Sequence, residues 1–145
     1  MERHYCAILR YCARHCPNHD RAEDLTQETF FRVFRDFRRY EDCGKFRAYL
    51  YTIAYRLCID ESRKPERYAI DDGIGYSEGC MSEIENHDEI NRLLKRLSPS
   101  QREAVILRFS EQLSFREISQ ITGVSIRTLQ SRVRLAMAIM RKENP

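Results

Sequence analysis

Between residues 114 and 142 the chain reads SFREISQITGVSIRTLQSRVRLAMAIMRK, two helical patterns broken by a single glycine. Ser114 followed three residues on by Glu117 is a capping-box pattern, so a helix is expected over residues 115–122. Gly123 supplies the positive φ that a tight turn requires. Ser125 is the candidate N-cap of a second helix. That helix carries Ile126, Leu129, Val133, Ala136, Met137 and Met140 as one apolar stripe at helical period. Its other side shows Arg127, Thr128, Gln130, Ser131 and Arg134.

A short helix, a glycine turn and a second helix with a basic, hydrogen-bonding outer face is the layout of a helix-turn-helix. The residue types suit DNA. Arg and Gln make bidentate contacts to base edges in the major groove, while Ser, Thr and further Arg hold phosphates. From residue 125 to 142 there are five basic residues and no Asp or Glu. An ordinary amphipathic hairpin with a solvated basic face shares the periodicity. The one-sided charge and the turn glycine favour the DNA reading.

Charge is distributed in blocks. Residues 1–67 hold 14 Lys/Arg against 11 Asp/Glu, residues 68–91 hold seven acidic residues and no Lys or Arg, and residues 100–145 hold eight basic against four acidic. Two basic lobes with an acidic joint suit two nucleic-acid-facing modules. The expected organisation is all-α, with two small helical domains over residues 1–65 and 84–145 and a flexible linker over 66–83. The linker carries Gly73, Gly75 and Gly79 among acidic residues and few apolar ones. No run is long and apolar enough to span a bilayer, and the charged N-terminus lacks a signal-peptide core. A cytoplasmic protein is expected, with its six cysteines as reduced thiols.

The N-terminal lobe reads as three helices. Tyr5, Ile8, Leu9, Cys12 and Cys16 form the apolar stripe of the first. His4, Cys6, Cys12, His15, Cys16 and His19 are ligand types, but their spacings match no finger or knuckle pattern. No bound metal is expected. Asp20 with Glu23 is read as the capping box of the second helix, whose core seam is Leu25, Phe30, Val33, Phe34 and Phe37. Asp24, Gln27, Glu28 and Phe31 fall on another face of that helix. A polar patch beside a large apolar anchor has the look of a protein docking site, although a solvated helix face has the same pattern. The third helix, from about residue 46 to 64, places Phe46, Leu50, Ile53, Ala54 and Leu57 inward. Tyr49, Thr52, Arg56 and Arg63 share a different face, with Tyr51 and Tyr55 nearby, a mixture suited to unstacked bases and phosphates. In the second lobe, helices are expected over residues 84–97 and from Pro99 to about residue 109.

Three of these segments, in this order, resemble the small extracytoplasmic-function type of bacterial RNA polymerase sigma factor. RAEDLTQETFFRVFR is similar to region 2.1–2.2, with its AEDLxQExF pattern. FRAYLYTIAYRLCIDESRK is similar to region 2.3–2.4, and LSPSQREAVILRFSEQLSFREISQITGVSIRTLQSRV to region 4. The resemblance implies that Asp24, Gln27, Glu28 and Phe31 dock on the β′ clamp helices of core polymerase. It implies that Tyr40, Lys45, Tyr49, Arg56, Asp60 and Arg63 capture the −10 promoter element. Arg127, Thr128, Gln130, Ser131 and Arg134 would read the −35 element, with the second lobe resting on the β flap. An anti-sigma partner is expected on the same basis.

The chain departs from the family pattern in places. The family often has Trp where Tyr49 stands and Asn where Arg56 stands, the latter a position tied to −10 reading. Ser119 and Thr122 replace the more usual Ala and Leu, making the helix-turn-helix interior more polar. A free-standing helix-turn-helix regulator is the alternative, but no dimer seam is evident. No nucleophile–base motif or phosphate loop is present, so neither a catalytic site nor a cofactor is expected.

Overall fold

The computed structural model describes residues 2–16, 18–36, 46–63 and 92–143, and every regular element among them is helical. The chain divides into two compact units, Met1–Ile84 and Glu85–Pro145.

The first unit packs three helices, α1 (Glu2–His15), α2 (His19–Arg35) and α3 (Phe46–Ser62). Asn18, and not Asp20, caps α2: its side chain accepts from the Asp20 N–H at 2.8 Å. The expected Asp20–Glu23 box fails because the N-cap falls two residues earlier, at Asn18, which puts Asp20 inside the first turn. The core takes Ile8, Leu9 and Cys12 from α1, Leu25 and Val33 from α2, and Leu50, Ala54 and Leu57 from α3. Tyr11 and Tyr51 are fully buried and meet edge-to-face, with ring centroids 5.7 Å apart. Tyr51 therefore leaves the nucleic-acid face on which the sequence reading set it.

Thr26 and Thr29 are buried too, and their hydroxyls donate to the carbonyls of Ala22 (2.8 Å) and Leu25 (2.7 Å). This back-bonding satisfies polar groups that burial would otherwise leave stranded. Phe34, expected inside, is 56% exposed. The inward face of α2 is filled by Ala22, Leu25, Thr26, Thr29 and Val33, and Phe34 falls outside it.

In the second unit a helical turn at residues 92–94 precedes α4 (Pro99–Val105), which runs directly into a π-helical turn, Ile106–Ser110. Residues 84–91, the start of the helix expected there, lie outside the described residues, as does the expected linker at 66–83. Ser98 and Gln101 form a capping box at the start of α4, with Pro99 in its first turn. Ala104, Val105, Ile106 and Leu107 are buried in succession. The first two belong to α4 and the last two to the wider turn, which closes with the Glu111 N–H on the Ile106 carbonyl at 3.0 Å.

Beyond it come α5 (Phe115–Thr122) and α6 (Ile126–Glu143). The Ser114–Glu117 box forms as expected, and Gly123 ends α5 at φ 77°. Ile118, Ile121, Leu129, Val133 and Ala136 pack together with Leu107 and Leu113 in the core of this unit.

Candidate functional site

Two surfaces stand out, one on each unit. On the first, α2 and α3 flank a shallow groove of about 770 Å³. Asp24, Gln27, Glu28 and Phe31 form its α2 wall, and Leu57, Asp60 and Glu61 come from α3. Arg21 clasps the two helices: its guanidinium donates to both Glu61 oxygens, at 2.8 and 2.6 Å, and lies 3.5 Å from Asp24. Arg32 pairs with Glu28 at 2.9 Å, one helical turn away. Phe31 is 61% exposed, so folding leaves its ring in water. The four residues expected as a docking face thus share one concave surface, and Asp60 joins them.

Tyr49, Arg56 and Arg63 follow the outer side of α3, with Arg56 and Arg63 exposed and Tyr49 half-buried. The Thr52 hydroxyl is turned inward along the helix, onto the Ala48 carbonyl at 2.7 Å. Tyr40 and Lys45 lie outside the described residues. Arg47, which the sequence reading did not single out, stands over the Tyr51 ring at 5.8 Å, one turn along the same helix.

On the second unit, α6 presents Arg127, Thr128, Gln130 and Arg134 to solvent, with Ser131 half-buried beside them. Ser125 caps this helix, accepting from the Thr128 N–H at 3.3 Å and donating to the Thr128 hydroxyl at 2.9 Å. Ile126, expected in the apolar stripe, is 41% exposed. As the first residue of the helix it reaches past the core that Leu129 enters. Thr122 does not loosen the motif. Its hydroxyl donates to the Ile118 carbonyl at 2.8 Å and accepts from the Val124 N–H at 3.2 Å, tying the turn to α5. Arg108 braces the approach, donating to the Leu113 carbonyl at 3.0 Å with its guanidinium 4.9 Å from the Phe115 ring centre.

The cysteines divide into two kinds. Cys12, Cys16 and Cys58 are buried thiols outside any disulfide, and the Cys12 and Cys58 sulfurs lie 3.8 Å apart. Burial, with Cys12 beside it, pushes the Cys16 thiol up to about 12. Cys6 is disulfide-bonded, so the expectation of six reduced thiols fails there. Isolated cysteine spacing gave no sign of it. Among the described residues, the grouping whose ligand atoms gather within 4.8 Å is His19, Asp20 and Glu23, which shares only His19 with the Cys/His series.

These two surfaces coincide with two family models. Residues 1–68 match Sigma-70 region 2, and residues 87–140 match Sigma-70, region 4. The chain is 33% identical to the RNA polymerase sigma factor CarQ of Myxococcus xanthus, over 85% of this chain and 74% of that protein. The chain is an extracytoplasmic-function sigma factor of the sigma-70 family. It is also similar to the sigma factor SigW of Bacillus subtilis, at 26% identity over 94% of this chain and 82% of the relative. Among solved structures it resembles the sigma factor RpoE of Bartonella quintana, in a complex with the anti-sigma factor NepR. That match has a TM-score of 0.74 at 26% identity, covering 95% of this chain and 90% of that one. As a sigma factor, the protein directs promoter-specific initiation of transcription. Its groove belongs to the region 2 unit and its uncovered basic helix to the region 4 unit.

Proposed function

We propose that this sigma factor docks core RNA polymerase through Asp24, Gln27, Glu28 and Phe31, and reads the −35 element through Arg127, Thr128, Gln130, Ser131 and Arg134. The observation that carries the first assignment is the exposed Phe31 ring set among carboxylates on one concave surface. Such an aromatic, with polar groups around it, is the kind of anchor that dominates binding energy at protein interfaces. The partner segment is the clamp helices of the β′ subunit, and region 4 rests on the β flap. The −35 assignment is supported by the solvent-facing cationic side of α6, whose apolar side is used in packing.

Tyr49, Arg56 and Arg63 line the outer side of α3 and take the −10 element, together with Tyr40 and Lys45. Arg and Tyr together can hold phosphates and stack an unpaired base. Residues 1–65 and 84–145 act as the two reading modules and residues 66–83 as their tether. The protein works in the cytoplasm, has no catalytic activity of its own, and is held by an anti-sigma factor, as the NepR complex of its Bartonella quintana relative supports.

The two surfaces are separable by mutation. Glu28→Ala and Phe31→Ala are expected to weaken binding to core polymerase. Arg127→Ala and Arg134→Ala are expected to reduce initiation at −35-dependent promoters while core binding stays intact. Equal loss of both properties in the Arg variants would count against the division.

A further inference from the structure

We infer that Asp60 belongs to the polymerase-docking face, and that this face is a two-helix groove suited to a cationic helix of core polymerase. The inference rests on the docking assignment above and extends it from α2 to α3. Asp60 was expected among the −10 contacts, yet it lines the same groove as Glu28 and Phe31. Four carboxylates, Asp24, Glu28, Asp60 and Glu61, meet two guanidinium groups there, Arg21 and Arg32. Both arginines are engaged: Arg21 with Glu61 and Asp24, Arg32 with Glu28.

Asp60 is exposed and enters no ion pair among the described residues. It stands in the last turn of α3, next to Glu61. The helix carbonyls there carry negative partial charge, so a carboxylate at this position is disfavoured. A disfavoured carboxylate with no ion-pair partner among the described residues is available to an external cation. Lys or Arg side chains of a partner helix supply that charge, and Phe31 gives the same helix an apolar contact. DNA is the poorer occupant, because its phosphates would face a surplus of carboxylates.

The test uses the full chain and core polymerase, first without DNA. Asp60→Asn is expected to weaken core binding about five- to ten-fold at low salt, with the difference shrinking as salt rises. Asp60→Glu is expected to bind like the parent. Preference among −10 sequence variants, measured on the assembled holoenzyme, is expected to be unchanged in Asp60→Asn. Glu28→Ala is measured alongside. Weakening by Glu28→Ala but not by Asp60→Asn would overturn this inference and leave the docking assignment standing. Weakening by neither would overturn both. Normal core affinity with an altered −10 preference would return Asp60 to the DNA-facing set and overturn the inference as well.

Discussion

Phe34 and Cys16 are residues whose surroundings in the fold reverse what their side chains suggest. Phe34 is a large aromatic on a helix that supplies core, yet it is 56% exposed, three residues beyond the exposed Phe31. Phe34→Ala is therefore expected to change unfolding free energy by only about 0.5 kcal/mol. A buried Phe would cost about 3–5 kcal/mol. Denaturant titration measures that difference, and a several-fold loss of core binding in the same variant would make Phe34 part of the docking anchor. Cys16 presents the opposite case: a reactive residue type made inert. With its thiol pushed from an ordinary 9.0 to about 12, the folded state holds a proton that the unfolded chain releases. Cys16 thus leaves stability unaffected below pH 9 and lowers it as pH rises from 9 toward 12. In native protein at neutral pH, Cys12, Cys16 and Cys58 are expected to resist alkylation, with mass spectrometry of the labelled chain as the measure. Rapid labelling of all three would mean that the helices open far more readily than their packing implies.

At the scale of elements, the sequence was most informative where local chemistry and tertiary role agree. The Ser114 box, the Gly123 turn and the Ser125 cap are each set by one or two neighbouring residues, and all three form. The helices themselves were legible for the same reason. The inward side of α2 was harder to read, because Thr26 and Thr29 hide their hydroxyls on their own helix and behave as core. Nothing in periodicity separates such a threonine from a solvated one. The π turn at Ile106–Ser110 was missed because its sequence, ILRFS, fits an ordinary helix equally well. The groove between α2 and α3 was half visible. Its α2 wall lies on one helix face and could be read from spacing, but Glu61 and Asp60 reach it only through the packing of α3, 40 residues away from Arg21 for the Glu61 clasp. Caps are the element-level features most open to test. Ser114→Ala removes the half of the box in which the Ser114 hydroxyl accepts from the Glu117 N–H, and is expected to lower stability by about 1 kcal/mol. Gly123→Ala meets no steric obstacle, with nothing within 4 Å of an added Cβ, so its cost of about 1 kcal/mol comes from the left-handed backbone alone. Thermal unfolding of the two variants checks both values.

For the whole molecule, the proposed reading gives the two units different work on one chain. Region 2 carries a carboxylate-rich groove, proposed for a protein, and an Arg/Tyr face, proposed for DNA, while region 4 carries the basic helix proposed for the major groove. Tethering makes the second contact effectively intramolecular once the first has formed, so neither unit needs great affinity alone. That is consistent with a net charge of only +3 across 145 residues. The most direct measurement is transcription of fragmented host DNA by core polymerase with and without this chain, read as RNA 5′ ends. The account predicts discrete new start sites that share two upstream sequence motifs at constant spacing. It also predicts that Arg134→Ala removes the dependence on the upstream motif. An unchanged set of start sites, with the chain also failing to bind core polymerase, would contradict it.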